Sequence, residues 1–66
     1  MSEYLDRAIA AEHLVVTFGE LAAGYQEDGN LSEAERLRGD AAWWLGKAKD
    51  WRACHLEYVE RLARAA

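Results

Sequence analysis

From Ala34 to Leu62, one stripe takes every third or fourth residue: Ala34, Leu37, Ala41, Trp44, Ala48, Trp51, His55, Tyr58 and Leu62. The steps alternate between three and four without a skip. That heptad pattern keeps one side of a helix turned toward a partner helix. Leu37, Trp44, Trp51 and Tyr58 are the large members, seven apart, with Ala34, Ala41 and Ala48 between them, so a facing helix can interdigitate. If the tryptophans are buried there, Trp44→Ala and Trp51→Ala each cost about 3–5 kcal/mol.

A second apolar pattern runs from Tyr4 to Tyr25. One seam is Tyr4, Ala8, Ala11, Val15, Phe18, Ala22 and Tyr25, widened by Leu14 and Leu21. Another is Leu5, Ile9, Val16 and Ala23, interrupted by Glu12 and Gly19. At 100° per residue the apolar arc covers roughly two-thirds of the helix, where a surface helix needs a stripe of about 100°. Such a helix touches more than one neighbour. Its narrow polar face carries Asp6, His13, Thr17, Glu20, Gly24 and Glu27.

The ends of both helices carry local signals. Ser2 can cap the first helix, with Glu3 near its positive end. Asp28-Gly29-Asn30 ends it, because Gly29 suits a left-handed cap and Asn30 tolerates turns. Ser32-Glu33-Ala34-Glu35 reads as a capping box with Ser32 as N-cap. The spacing therefore predicts an all-α fold: helix about 3–27, turn 28–31, helix about 33–64, closed as an antiparallel hairpin in one domain, 1–66. Gly39 and Gly46 lie inside the second helix and cost about 1 kcal/mol each relative to Ala. The stripe keeps phase across both, which favours one continuous helix.

A lone hairpin cannot cover the wide arc of the first helix. Either a second copy completes a four-helix bundle, or the second helix breaks near Gly46 and folds back as a third. Gly39, Gly46 and Ala53 form a line of small residues away from the main stripe. It reads either as a place where another backbone comes close or as exposed glycine.

Composition bounds the function. Sixty-six residues with no proline and 52% hydrophobic positions suit one small helical domain, marginal in isolation. The single Cys54 has no intrachain disulfide partner, which points to a reducing, cytoplasmic compartment. No charged-then-apolar leader and no apolar run near ~18 residues is visible, so neither a signal peptide nor a membrane span is expected. A net charge of −4 argues against direct nucleic-acid binding, which calls for a basic chain. The charge is also segregated: residues 1–35 hold eight acids and one base (−7), and residues 36–66 hold seven bases and four acids (+3).

Few residues could carry chemistry. His13 is seven positions from both Asp6 and Glu20, or about 10 Å along a helix, too far to share a metal ion. No Glu-x-x-His, His-x-x-x-His or Cys-x-x-Cys occurs, so no metal or cofactor is expected. His55 falls on the stripe and reads as a core or rim histidine bonded to a partner. Cys54 and His55 are adjacent, about 100° apart on a helix, so they do not make a thiol–imidazole pair. With no convergent polar set, an enzyme is not expected.

Binding remains. Helix 2 offers i,i+4 partners for many of its charges, in Arg36–Asp40, Glu57–Arg61 and Glu60–Arg64; helix 1 offers only Glu3–Arg7. Asp6, Glu20, Glu27 and Asp28 are left without local bases. They are either a solvated face or a surface shaped for a basic partner. Trp43 points about 120° from the stripe centre. It either lies flat under Lys47 or anchors an interface. In size, charge and helicity the chain resembles small acidic phage-encoded inhibitors of the anti-CRISPR (type I) kind, several of which take the charge pattern of nucleic acid. That resemblance implies binding through Asp6, Glu20, Glu27 and Asp28, helped by Trp43, to a basic surface on a DNA-binding complex. It rests on no motif. The competing class is a homodimeric helical bundle whose apolar seams meet only each other.

Overall fold

The computed structural model describes residues 2–65, which form two helices, α1 (Glu3–Glu27) and α2 (Leu31–Ala65), packed antiparallel as a hairpin. The rod measures 56 × 15 × 11 Å. α2 is one helix through Gly39 and Gly46. The stripe stays in phase across both glycines, and α2 runs unbroken there among the described residues.

The turn is tighter than the spacing predicts. Gly29 takes φ +83°. Its N–H donates to the Gln26 carbonyl at 3.1 Å, and the Asn30 N–H donates to the Tyr25 carbonyl at 2.8 Å. This is the Schellman pair that closes a helix on a left-handed residue. Asn30 then opens α2, its Oδ1 accepting from the Glu33 N–H at 3.3 Å and its carbonyl from Ala34 at 3.1 Å. So Asn30, not Ser32, is the N-cap, and α2 begins at Leu31 rather than near residue 33. The expected capping box of Ser32 and Glu35 does not form, because α2 has begun at Leu31 and Ser32 already lies inside its first turn. Ser2 sits at the N-cap position of α1 with extended backbone, but its hydroxyl makes no capping bond.

A methyl group at Gly29 has open space around it, yet the left-handed backbone strains any L side chain. A methyl at Gly46 is equally unobstructed and sits in ordinary helix. Gly29→Ala should therefore lower stability by about 1 kcal/mol, and Gly46→Ala should raise it by about as much. Urea denaturation of the two variants side by side checks both signs.

The centre line of the hairpin is built from small residues. Ala8, Ala11 and Ala22 of α1 and Ala34, Leu37 and Ala48 of α2 are the buried apolar residues. They belong to the first seam of α1 and to the heptad stripe of α2, so both seams face each other as the spacing requires. Trp44, Trp51, Val15 and Phe18 are only half-buried, and Tyr4, Tyr25 and Tyr58 are exposed. The reading of Trp44, Trp51 and Tyr58 as core is corrected here. Two cylinders fully enclose only what lies on the line between them, and alanines let them approach closely. Large side chains on the same seam are pushed to its edges, where no third layer covers them.

Candidate interaction surfaces

The hairpin has three distinct sides besides its core. The outer side of α1 carries the acids. Glu20 and Asp28 line one open groove together with Thr17, Leu21, Gly24 and Tyr25. Glu27 lines a second groove, beside Gly19, Ala23, Gln26 and Arg38. Asp6 lies one turn into the other end of α1. All four are exposed, and none takes part in an ion pair among the described residues. α1 also has no base in its last turn. Asp28 thus stands at the negative end of the helix dipole with no base in its groove, while Glu27 has Arg38 in its groove without forming an ion pair with it. Trp43 belongs to α2 and is not part of either groove. Of the five residues that the sequence singles out, only Glu20 and Asp28 share a surface.

Trp43 is 58% exposed. Lys47 Nζ sits 5.2 Å from its ring centre, and Trp44 meets it edge-on at 4.8 Å. The stacked arrangement under Lys47 is thus the one the structure adopts.

Three contacts across the helices are not specified by the sequence pattern. Arg52 Nε and Nη2 donate to the Glu12 carboxylate at 2.6 and 2.7 Å. This two-pronged geometry is the strong form of the pair. It holds the Glu12 carboxyl below the usual carboxylate range, chiefly through the hydrogen bond from Arg52. At the free end Tyr4 stacks on Trp51 with ring centres 5.9 Å apart, and the Arg7 guanidinium lies 4.8 Å from the Trp51 ring centre on the same side chain. Arg7 is taken up there; no Glu3–Arg7 pair forms, nor do Glu57–Arg61 or Glu60–Arg64, among the described residues. Arg36 does reach Asp40, at 3.4 Å, and binds Glu33 more closely at 2.8 Å. Its hydrogen bond lowers the Glu33 carboxyl in the same way. The signal for Glu12–Arg52 was present in part. Glu12 is the one charge breaking the second seam of α1.

Other candidates find no function-bearing geometry. His13 is exposed. His55 is half-buried and its Nδ1 has no hydrogen-bond partner within the chain, contrary to the bonded role expected for it. Cys54 is a half-buried free thiol. Among the described residues no group of three or more His, Cys, Asp or Glu side chains is placed to hold a metal ion. No helix among them is long and apolar enough to cross a membrane.

The third side is apolar. Leu5, Ile9, Val16, Gly19 and Ala23 lie about 100° from the buried seam of α1. Leu45, Leu56 and Val59 flank the stripe of α2 on the side from which Arg52 reaches Glu12. Folding back at Gly29 brings Leu5 about level with Leu56, and Val16 about level with Leu45. Comparison with protein-family models, with curated proteins and with solved structures gives no match.

Proposed function

We propose that this chain is a non-enzymatic protein-binding module of the cytoplasm. Its acidic outer face on α1 meets a basic protein surface of the kind that holds nucleic acid, and blocks it. The observation that carries this reading is the segregation of charge. Glu12 and Glu33 are neutralised by Arg52 and Arg36, whereas Asp6, Glu20, Glu27 and Asp28 are exposed and unpaired among the described residues. In the groove of Glu20 and Asp28, a lysine or arginine of the partner can lay its stem on Leu21 and Tyr25 and place its head on one of the two carboxylates, which lie about 12 Å apart along the helix. Trp43, on another side, stands outside this contact and is at most an auxiliary anchor.

Partners captured from cell extract on wild-type protein and on Glu20→Lys/Asp28→Lys, identified by mass spectrometry and then studied by stopped flow, test it. Association of the wild type should slow clearly as salt rises, because screening acts over about 8 Å at physiological ionic strength. The double variant should associate about 10-fold more slowly or worse at low salt, with helical circular dichroism unchanged. Equal association rates at low salt would remove the acidic face from the mechanism.

A second reading has its own support. Among the described residues twelve large apolar side chains are exposed, from Tyr4 to Leu62. Self-association as a homodimeric four-helix bundle covers those on one side of the hairpin, and it is compatible with an acidic face turned outward.

A further inference from the structure

We infer that the apolar side formed by Leu5, Ile9, Val16, Gly19 and Ala23 of α1 with Leu45, Leu56 and Val59 of α2 is the contact between two copies of this chain, joined antiparallel about a two-fold axis near Glu12. This rests on the self-association reading and names its surface. It does not depend on the acidic-face reading.

Area comes first. The chain exposes 5000 Å². A compact monomer of 7.5 kDa exposes about 4,200 Å². The excess, about 800 Å², matches the ~800 Å² that each partner gives to an interface of standard size. The proposed face is also where exposed aliphatic side chains adjoin one another. Val16 is 58% and Leu56 62% exposed, with Ile9, Leu45 and Val59 at 39–45%.

Charge chooses the occupant. On this side Glu12 and Arg52 bind each other through both prongs of the guanidinium, which leaves the centre of the face neutral. At the small end Glu27 and Arg38 border the groove beside Gly19 and Ala23, one acid and one base, so these two pairs give the face no net charge to offer a charged partner. The opposite flank carries Trp43 among Arg7, Arg36, Asp40 and Lys47, three bases to one acid, and so is not neutral. Of the four unpaired acids, Asp6, Glu20 and Asp28 lie on the outer side of α1, and only Glu27 borders this face, beside Arg38. At the centre of the contact, the two Glu12–Arg52 pairs come together and each arginine can also face the other copy's glutamate.

Shape sets the direction. The bulky end of the face is Leu5, Leu56 and Val59, and the other end is Gly19 and Ala23. Gly19 has nothing within 4 Å of where a Cβ would stand. A two-fold axis near Glu12 lays the bulky end of one copy on the small end of the other, and sets Ile9 against Val16. An isologous contact of this kind closes on itself as a dimer.

Sedimentation equilibrium from low to high micromolar concentration tests the proposal, on wild type, Val16→Glu, Leu56→Glu and Leu21→Glu. Wild type should be a dimer. Val16→Glu and Leu56→Glu should each raise the dimer dissociation constant about 100-fold or more, because a lone carboxylate is buried in the contact. Leu21→Glu, on the opposite flank, should leave it unchanged. A wild type that is monomeric at high micromolar concentration overturns self-association itself. A dimer lost in Leu21→Glu and kept in the other two overturns this face while self-association stands. On a Cys54→Ala background, oxidising a mixture of Ile9→Cys and Val16→Cys chains should give the mixed disulfide in preference to like pairs. Preference for like pairs overturns the antiparallel arrangement.

Discussion

Ala48→Leu should destabilise the hairpin by about 3 kcal/mol, the upper part of the range for overpacking a filled contact. Ala48 is 1% exposed. It lies near the middle of α2, where neither the turn nor the free ends can open to make room. Three added carbons must push α1 and α2 apart along the line on which Ala8, Ala11, Ala22 and Ala34 are also buried. A domain of this length holds roughly 3–10 kcal/mol in total, so the loss takes much of the margin. Ala63→Leu is the control. It is exposed on the part of α2 that runs past the start of α1, and it should change stability little. Urea denaturation at one fixed protein concentration measures both, since any self-association adds to apparent stability. A neutral or stabilising Ala48→Leu would show that the helices are not in close contact at that level.

That expectation inverts what the heptad stripe suggests by itself. The stripe identifies the correct side of α2, and the first seam identifies the correct side of α1. Period alone specifies this, because residues three and four apart must share a helix face. Period does not say which members of a seam are enclosed. With a third or fourth helix in place, Trp44, Trp51 and Tyr58 would be core. With two helices, enclosure falls to the small residues, and Leu37 is the one large side chain among those buried. The turn was legible in kind and misplaced by one or two residues. Gly29 fixes a left-handed cap, but which of Asn30 and Ser32 opens α2 depends on where the Schellman bonds leave the chain pointing.

The candidate surfaces were legible unevenly. That the acids of α1 are unpaired could be read from spacing, since helix 1 supplies no bases at i±4 beyond Arg7. Their grouping could not. Glu20 and Asp28 share a groove, while Glu27 turns to the side of Arg38. The Glu12–Arg52 pair spans 40 positions. It needs the register between helices, which neither seam encodes: each seam repeats along its length, and sliding one helix by a heptad matches apolar positions almost as well. The ion pair and the Tyr4–Trp51 stack are contacts that such a slip would break. The three-residue turn closed at Gly29 forbids that slip and sets the register, and these contacts are the ones that register brings together.

Trp51→Ala should cost about 2–3 kcal/mol, below the 3–5 kcal/mol of a fully enclosed tryptophan. Trp51 is half-buried, so part of its transfer energy is never gained. What it does gain is specific. Tyr4 stacks on it with an interplanar angle of 18°, and Arg7 covers it at 4.8 Å. Both contacts come from the first two turns of α1, so Trp51 ties down the free end of the hairpin. Removing it should fray that end first. Amide exchange should therefore speed up from Glu3 to about Ala8 more than around the turn at Gly29. Trp43→Ala, which removes an exposed ring, should cost less than about 1 kcal/mol. A double-mutant cycle separates the stack from simple burial: Tyr4→Ala and Trp51→Ala together should fall short of additivity by about 0.5–1.5 kcal/mol. Strict additivity, or equal costs for Trp51→Ala and Trp43→Ala, would mean that the free end is held by something other than this aromatic contact.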